Sequence, residues 1–353
     1  MPNTIITGTG SYIPELKIEN SHFLNHEFYN SNHEKLLKPN KDIIATFQDI
    51  TCIRERRWAT DDLLTSDIAY LAAKEALDGS SGEDLDYIIV AHNFGDVKPG
   101  TARVDICPSI AARVKHLLGI KNPYTVAYDI PFGCPGWVHG MTIADYYIKS
   151  GNVKKVMVIG AEILSRVIDP YDMDSMIFAD GAGAAIVEAT EKDAGIISHV
   201  TRSDTEEGVN LIFSDKSYGP DSLDNKTYLK MHGHQVFKYA LRHVPNAVKK
   251  SLDNAGLSIT DVKKVLIHQA NEKMDLSIIK SIFKLYRLDD VPEHIMPMTI
   301  AWLGNSSVAT IPTMFDLIQK GRLEDHCLES GDIILFASVG AGMNINSMVY
   351  RMP

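Results

Sequence analysis

Tyr128-Asp-Ile-Pro-Phe-Gly-Cys-Pro-Gly-Trp137, running into His139 to Ser150, is the stretch whose reading decides the fold. An apolar, strand-like run from Tyr124 to Ile130 gives way to apolar residues at Val138, Met141, Ala144 and Ile148. That spacing predicts a helix, and Gly151 follows as its stop. Cys134 therefore falls at the amino end of a helix, where unpaired N–H groups and the positive end of the dipole favour a thiolate. A tight strand–Cys–helix turn is a way to present a nucleophile. The same pattern also suits a buried structural cysteine, and the local sequence leaves both readings open.

Outward from this elbow, strand-like and helical segments alternate. Before it come Thr4 to Pro14, read as a buried strand ending in a glycine turn, then a helix with an irregular polar insertion between Asn20 and Asp42. A helix from Ser66 to Leu77 behind a Thr65/Ser66 cap, the apolar run Tyr87 to Ala91 and a helix from Pro108 to Leu118 follow. After the elbow come the strand Lys155 to Ile159, a loop from Arg166 to Met176, and the Gly/Ala-rich run Phe178 to Val187, read as close backbone packing into a strand. Past Glu191 the alternation starts afresh. It runs through a strand at Ile196 to Val200, a polar connector from Thr201 to Asn225, helices at Gln235 to Leu252 and Lys273 to Leu285, a strand at Lys264 to His268, a helix at Ser307 to Lys320 and a last strand at Asp332 to Ser338. Such alternation implies mostly parallel sheets covered by helices. Two successive sets suggest a duplicated α/β core, drawn here as residues 1–188 and 189–353.

Composition narrows the function classes. The chain has 353 residues, 45% of them hydrophobic and 23% charged, as in an ordinary soluble globular protein. Its formal charge of −10 opposes general affinity for nucleic acid. Cys52, Cys107, Cys134 and Cys327 lie far apart with no CxxC pairing, which suggests neither a disulfide framework nor a zinc knuckle, and fits reduced cytoplasmic thiols. No stretch approaches the ~18 apolar residues of a spanning helix, and the amino terminus lacks a secretory pattern. Gly8-x-Gly10 lacks the third glycine of a dinucleotide fingerprint, and Arg54-Glu-Arg-Arg57 reads as a phosphate site or, more simply, an ion-paired structural run.

Three segments each place one chemically useful side chain at the end of an apolar strand or at a glycine turn: Cys134, His268 in Ile267-His-Gln-Ala-Asn271, and Asn305 in Leu303-Gly-Asn-Ser306. A fourth, Ser338-Val-Gly-Ala-Gly-Met343, is a glycine-rich turn suited to aiming a backbone N–H at an oxyanion. Strand ends are where α/β proteins assemble sites. One such residue alone would be read as a satisfied core residue or a plain turn.

Taken together, these segments closely resemble the β-ketoacyl-acyl-carrier-protein synthase III group of thiolase-like condensing enzymes, over nearly the whole chain. The matching signatures are Gly8 to Pro14, Ile53-Arg-Glu-Arg56, Cys134-x-Gly136, Ile177 to Ala185, His268-Gln-Ala-Asn271, Gly304-Asn305 and Gly340-Ala-Gly342. The resemblance implies a five-layer αβαβα fold of two similar halves, a cytoplasmic homodimer, and a triad of Cys134, His268 and Asn305. It implies acylation of Cys134 by a thioester, an oxyanion hole from the N–H groups of Cys134 and Ala341, and decarboxylative condensation with a malonyl-type or β-ketoacyl thioester. It calls for no metal or redox cofactor, the substrates being carried on the phosphopantetheine of coenzyme A or acyl carrier protein.

Departures from the family pattern shape further expectations. Thr46, Ile50 and Met173 stand where an aromatic and two arginines usually grip coenzyme A, which favours a carrier-bound donor. Lys238, Lys273, Lys280 and Lys284 fall where the family docks acyl carrier protein. Within the long loop Asn93 to Pro108, Cys107 takes the place of a bulky aromatic reaching the neighbouring subunit's acyl pocket, and Phe132 is expected to reshape the pocket floor. Two other readings compete: acyl transfer to an alcohol, amine or β-ketoacyl acceptor without loss of CO2, and a non-catalytic subunit that measures chain length.

Overall fold

The computed structural model describes residues 1–101, 103–220 and 226–353, so Ala102 in the loop after Asn93 and the end of the connector, 221–225, lie outside the described residues. Its first sheet contains β1 (Asn3–Tyr12), β2 (Tyr87–His92), β3 (Val126–Pro131), β4 (Lys155–Ile163) and β5 (Asp180–Thr190), in the order β1-β5-β4-β2-β3. The second contains β6 (Gly195–Ser203), β7 (Val262–Ile267), β8 (Ile333–Gly340) and β9 (Asn344–Arg351), in the order β6-β9-β8-β7. In each sheet the first strand runs antiparallel to the last, the last antiparallel to its other neighbour, and that neighbour parallel to the next. Among the described residues the second sheet thus repeats the first without a counterpart of β3.

Six helices cover these sheets: α1 (Thr65–Leu77), α2 (Ile110–Leu117), α3 (Gly136–Lys149), α4 (Gly233–Ala255), α5 (Glu272–Leu285) and α6 (Thr310–Gln319). Alternation along the strands decides which goes where. On β4, Val156 and Val158 face a core shared with Met141, Ile148, Met314 and Phe336, while Met157 and Ile159 face Ile68, Ala72 and Val114. On β8, Ile334 and Phe336 join the same shared core, while Leu335 and Ala337 face Val244, Val248, Ile278 and Ile282. Helices α3 and α6 therefore lie between the sheets, with α1 and α2 outside one and α4 and α5 outside the other. This is the five-layer αβαβα arrangement of the thiolase-like fold.

Several local expectations are corrected. Gly8 and Gly10 do not form a turn; they sit within β1, where a Cβ would come 2.4 Å and 2.2 Å from carbonyl oxygens of α1. They are glycine because a helix backbone lies against the strand. Helix α1 is capped at Leu64, whose N–H donates to Asp67 Oδ2 (2.8 Å), while Ser66 donates from its N–H and its hydroxyl to Asp96 (both 2.7 Å). Helix α6 begins at Thr310 because Ser307–Ala309 form a separate 3-10 turn. Arg56 is fully buried, donating to Ile18 O and Asn20 Oδ1, and Arg57 pairs with Glu55, so that basic run is structural.

Candidate active site

Cys134 lies two residues before α3, and Pro135 serves as the helix's N-cap. The end of β8 is pressed against it: a Cβ added at Gly340 would stand 2.9 Å from Cys134 N. His268 follows the last residue of β7, and its N–H still joins the ladder by donating to Ala337 O (2.9 Å). The next residues explain why the histidine is held. Gln269 is wholly buried; its Nε2 donates to Pro297 O (2.7 Å), and its Oε1 accepts from Thr299 N (2.8 Å) and Ile300 N (3.1 Å). Asn271 caps α5 by accepting from Met274 N (3.1 Å).

Gln269 thereby fixes the segment that leads to Gly304 and Asn305. Gly304 has φ +71°, and a Cβ there would lie 2.6 Å from Arg56 Cβ, so both conformation and space require glycine. Asn305 is tied at both ends of its peptide, its N–H donating to Ile177 O (3.0 Å) and its carbonyl accepting from Ala179 N (2.8 Å). Its side-chain Oδ1 accepts from Ser307 N (2.8 Å), which leaves the Nδ2 donor as the end free for a ligand.

Cys134, His268, Asn305 and Ala341 all line one cavity of about 250 Å³, together with Ser307 and with Ile212, Phe213, Leu229 and Met231 of the Ile212–Asp215 and Tyr228–Met231 hairpin. A larger chamber of about 830 Å³ adjoins it, with Met231, Val236, Ala270 and Met274 common to both walls. Thr46, Ile50 and Met173 lie on that outer wall beside Leu36, Leu37 and Phe47.

The electrostatics overturn one expectation. Burial pushes the Cys134 thiol up to about 11, with the Ser307 hydroxyl pulling the other way and Glu162 adding to the rise. The helix end favours a thiolate, but loss of solvent costs the charged form more, so the resting group is a thiol. Burial also pushes His268 down to about 4, which keeps its imidazole neutral at neutral pH.

Other sequence-based candidates fall elsewhere. Cys107 is exposed on this chain, and Phe132 stacks on His139 with centroids 4.0 Å apart; neither is on the cavity wall. Lys238, Lys280 and Lys284 are exposed on α4 and α5, and Lys273, also exposed, borders the outer chamber. Ser307, Asn93 and Glu162 were not singled out from the sequence. Ser307 Oγ lies 3.3 Å from Cys134 Sγ, Asn93 Nδ2 donates to Ser307 Oγ (3.3 Å), and both Asn93 N–H groups donate to Glu162 Oε2 (2.6 Å each). Ser307 lies two positions past Asn305, and that proximity was the one available signal. Among the described residues no group of three or more His, Cys, Asp or Glu side chains is arranged to hold a metal. None of the helices described is long and apolar enough to cross a membrane.

A two-sheet core whose central helices each start at a polar elbow, with a cysteine at one, defines a thiolase-like protein. Family profiles narrow this: one described as 3-oxoacyl-[acyl-carrier-protein] synthase III matches residues 128–205, and its C-terminal counterpart matches 252–352. β-Ketoacyl-[acyl-carrier-protein] synthase III 1 of Bacillus cereus is 33% identical over 99% of each chain. The crystal structure of 3-oxoacyl-[acyl-carrier-protein] synthase III from Aquifex aeolicus is 30% identical and superposes with a TM-score of 0.78 over 99% of each chain. The priming β-ketosynthase of the R1128 polyketide pathway is 25% identical, with a TM-score of 0.79 over 100% of this chain and 97% of its own. This chain belongs to the β-ketoacyl-acyl-carrier-protein synthase III family.

Proposed function

We propose that this chain is a condensing acyltransferase that stores an acyl group on Cys134 and joins it, with loss of CO2, to a malonyl-type thioester in fatty-acid or polyketide-like synthesis. The observation that carries the reading is the orientation of Asn305: its Oδ1 is engaged by Ser307 N–H, so a donor faces the cavity that also holds Cys134 and His268.

In the first half-reaction Cys134 Sγ attacks the donor carbonyl, and the oxyanion rests on the N–H groups of Cys134 and Ala341. Collapse breaks the carbon–sulfur bond to the carrier, and the thiol proton ends on the departing carrier thiol. In the second, a malonyl thioester sets its carbonyl against the neutral His268 N–H and Asn305 Nδ2. The bond to CO2 breaks, its electron pair becomes an enolate held by those donors, and the enolate carbon attacks the stored acyl carbon. Cys134 leaves and regains a proton from solvent. Each well-aimed donor of this kind contributes about 3 kcal/mol. A β-ketoacyl acceptor has no CO2 to lose and its enolate would need a base for the α-proton, while plain transfer to an alcohol or amine gives Asn305 no task.

The outer chamber favours a carrier-tethered arm over a nucleotide. Its wall is chiefly Leu36, Leu37, Ile43, Phe47, Ile50 and Met176, with Lys38, His234 and Lys273 also bordering it, so an apolar arm meets more of the wall than a nucleotide's phosphates would. The exposed lysines Lys238, Lys273, Lys280 and Lys284 suit an acidic carrier protein. A homodimer fits the outer strand β3, whose Val126 is exposed, and the exposed Val104, Ile106 and Cys107. The reading also includes a cytoplasmic setting, halves at 1–188 and 189–353, and chemistry that uses no metal or redox group.

Intact-mass measurement after incubation with acyl donors on coenzyme A and on carrier protein tests it. The expected result is an adduct on the enzyme that vanishes in Cys134→Ala, followed by CO2 release from a malonyl thioester. No adduct with any donor would sink the reading, and an adduct without CO2 release would turn it towards plain acyl transfer.

A further inference from the structure

At rest Cys134 is a thiol in a desolvated pocket, yet its sulfur must carry negative charge as it attacks and again as it leaves. A donor held against that sulfur is therefore worth more here than it would be in water. We propose that Ser307 is a further catalytic residue, its hydroxyl donating to Cys134 Sγ through both half-reactions, with Asn93 and Glu162 as positioning residues that fix the direction of that donation.

The direction follows from what each group can do. A hydroxyl both donates and accepts, so the 3.3 Å contact between Ser307 Oγ and Cys134 Sγ does not by itself say where the proton lies. Glu162 decides it from two residues away. Burial pushes its carboxyl above the ordinary carboxylate range, while His92 and the N–H groups of Asn93 and Phe94 pull it back. A backbone N–H can only donate, so the carboxyl is the acceptor here, its Oε2 taking both Asn93 N–H groups at 2.6 Å and its Oε1 facing Phe94 N at 3.4 Å. The end of the Asn93 amide turned towards it must then be Nδ2, and the same nitrogen donates to Ser307 Oγ at 3.3 Å. An oxygen that accepts from Asn93 keeps its own proton for the sulfur. Carboxylate, amide, hydroxyl and sulfur thus form a one-way chain.

The backbone of Ser307 shows that the placement is imposed. Its φ is +53°, a conformation that side chains other than glycine, asparagine or aspartate seldom adopt, and it is buried. Asn305 Oδ1 holds its N–H at 2.8 Å, so the enolate donor and the sulfur donor are set by one residue. Strained residues of this kind concentrate at functional sites. The Ser307 proton never leaves its oxygen, so the proton balance of the reaction is unchanged.

The inference rests on Cys134 as the nucleophile, and its test needs no acyl donor. The rate of Cys134 alkylation by iodoacetamide, followed by intact mass through brief pH jumps, reports the thiolate fraction. In Ser307→Ala, shown to be folded by its melting curve, the inflection moves to higher pH and the rate at pH 8 falls about tenfold or more, as expected for a lost hydrogen bond to a charged group. Asn93→Ala moves it the same way by a smaller factor. A folded Ser307→Ala with an unmoved inflection overturns the inference. If Ser307→Ala does not fold, Asn93→Ala decides: an upward shift supports the chain and an unmoved inflection overturns it. Absence of any acyl adduct in the unaltered protein would instead sink the condensing reading and leave the alkylation profile as a separate result.

Discussion

Gly133-Cys134-Pro135 and Gly304-Asn305-Ser306 hold matching places in the two halves: the first opens α3, which leads to β4, and the second precedes α6, which leads to the equivalent strand β8. One is delivered by a strand, since β3 ends at Pro131, three residues before the sulfur. The other has no strand before it. There the chain is steered by a parallel bridge between Phe178 and Asn305 and by the hydrogen bonds of the buried Gln269 to Pro297, Thr299 and Ile300. The proposed nucleophile is thus set by a sheet edge, and the proposed enolate donor by a backbone bridge together with one buried amide side chain.

The strongest way to separate the two elbows is to remove the donors of the second half and keep the first. His268→Ala and Asn305→Ala should each lower CO2 release by about 10²–10³-fold while leaving an acyl adduct on Cys134, read by isotope release and intact mass. Equal loss of both steps would dissolve the division of labour.

Gln269→Leu attacks the steering rather than the chemistry. Thr299 N and Ile300 N would lose their buried acceptor, costing about 2–4 kcal/mol in a urea unfolding titration. Condensation should fall more than acylation, because Asn305 lies downstream of the loosened segment and Cys134 does not.

A smaller effect is expected at the surface. Replacing Lys238, Lys280 and Lys284 together by Glu should raise KM for carrier-borne donors about threefold to tenfold at low salt, and leave N-acetylcysteamine thioesters unaffected. A change with both donors would assign those lysines to the fold.

The last sharpening is a plateau. The proposed condensation step uses neutral His268, and burial pushes the ring's pKa down to about 4, so half of it is protonated only at about that pH. The rate of CO2 release from preformed acyl-enzyme should stay flat from pH 7.5 to pH 5. A fall centred near the ordinary histidine value, about 6.5, would mean the ring is more hydrated than its 4% exposure implies.

Much of this division could be read from the chain. Cys134, His268 and Asn305 sit beside apolar runs and glycines, so local pattern alone put each at the end of an element. What pattern could not supply was the state of the sulfur. The helix end is written in the sequence next to Cys134, but the packing of β8 against it and the burial that outweighs it come from far along the chain. Glu162 and Asn93 stayed hidden for a related reason. They are 69 residues apart and carry no periodic signal, and their meaning lies in a contact. Gly8 and Gly10 misled because glycine marks a turn and a close helix approach equally well, and only packing distinguishes them.

The hairpin that roofs the inner cavity and the helices beneath it should also differ in how readily they open. Ile212–Asp215 and Tyr228–Met231 are four-residue strands paired with each other, whereas α3 and α6 are enclosed by sheets above and below. Deuterium should therefore enter the roof amides by local opening, and those of α3 only when the whole core unfolds. The cavity wall would then loosen over those eight strand positions, while α3, which starts two residues after the sulfur, stays closed.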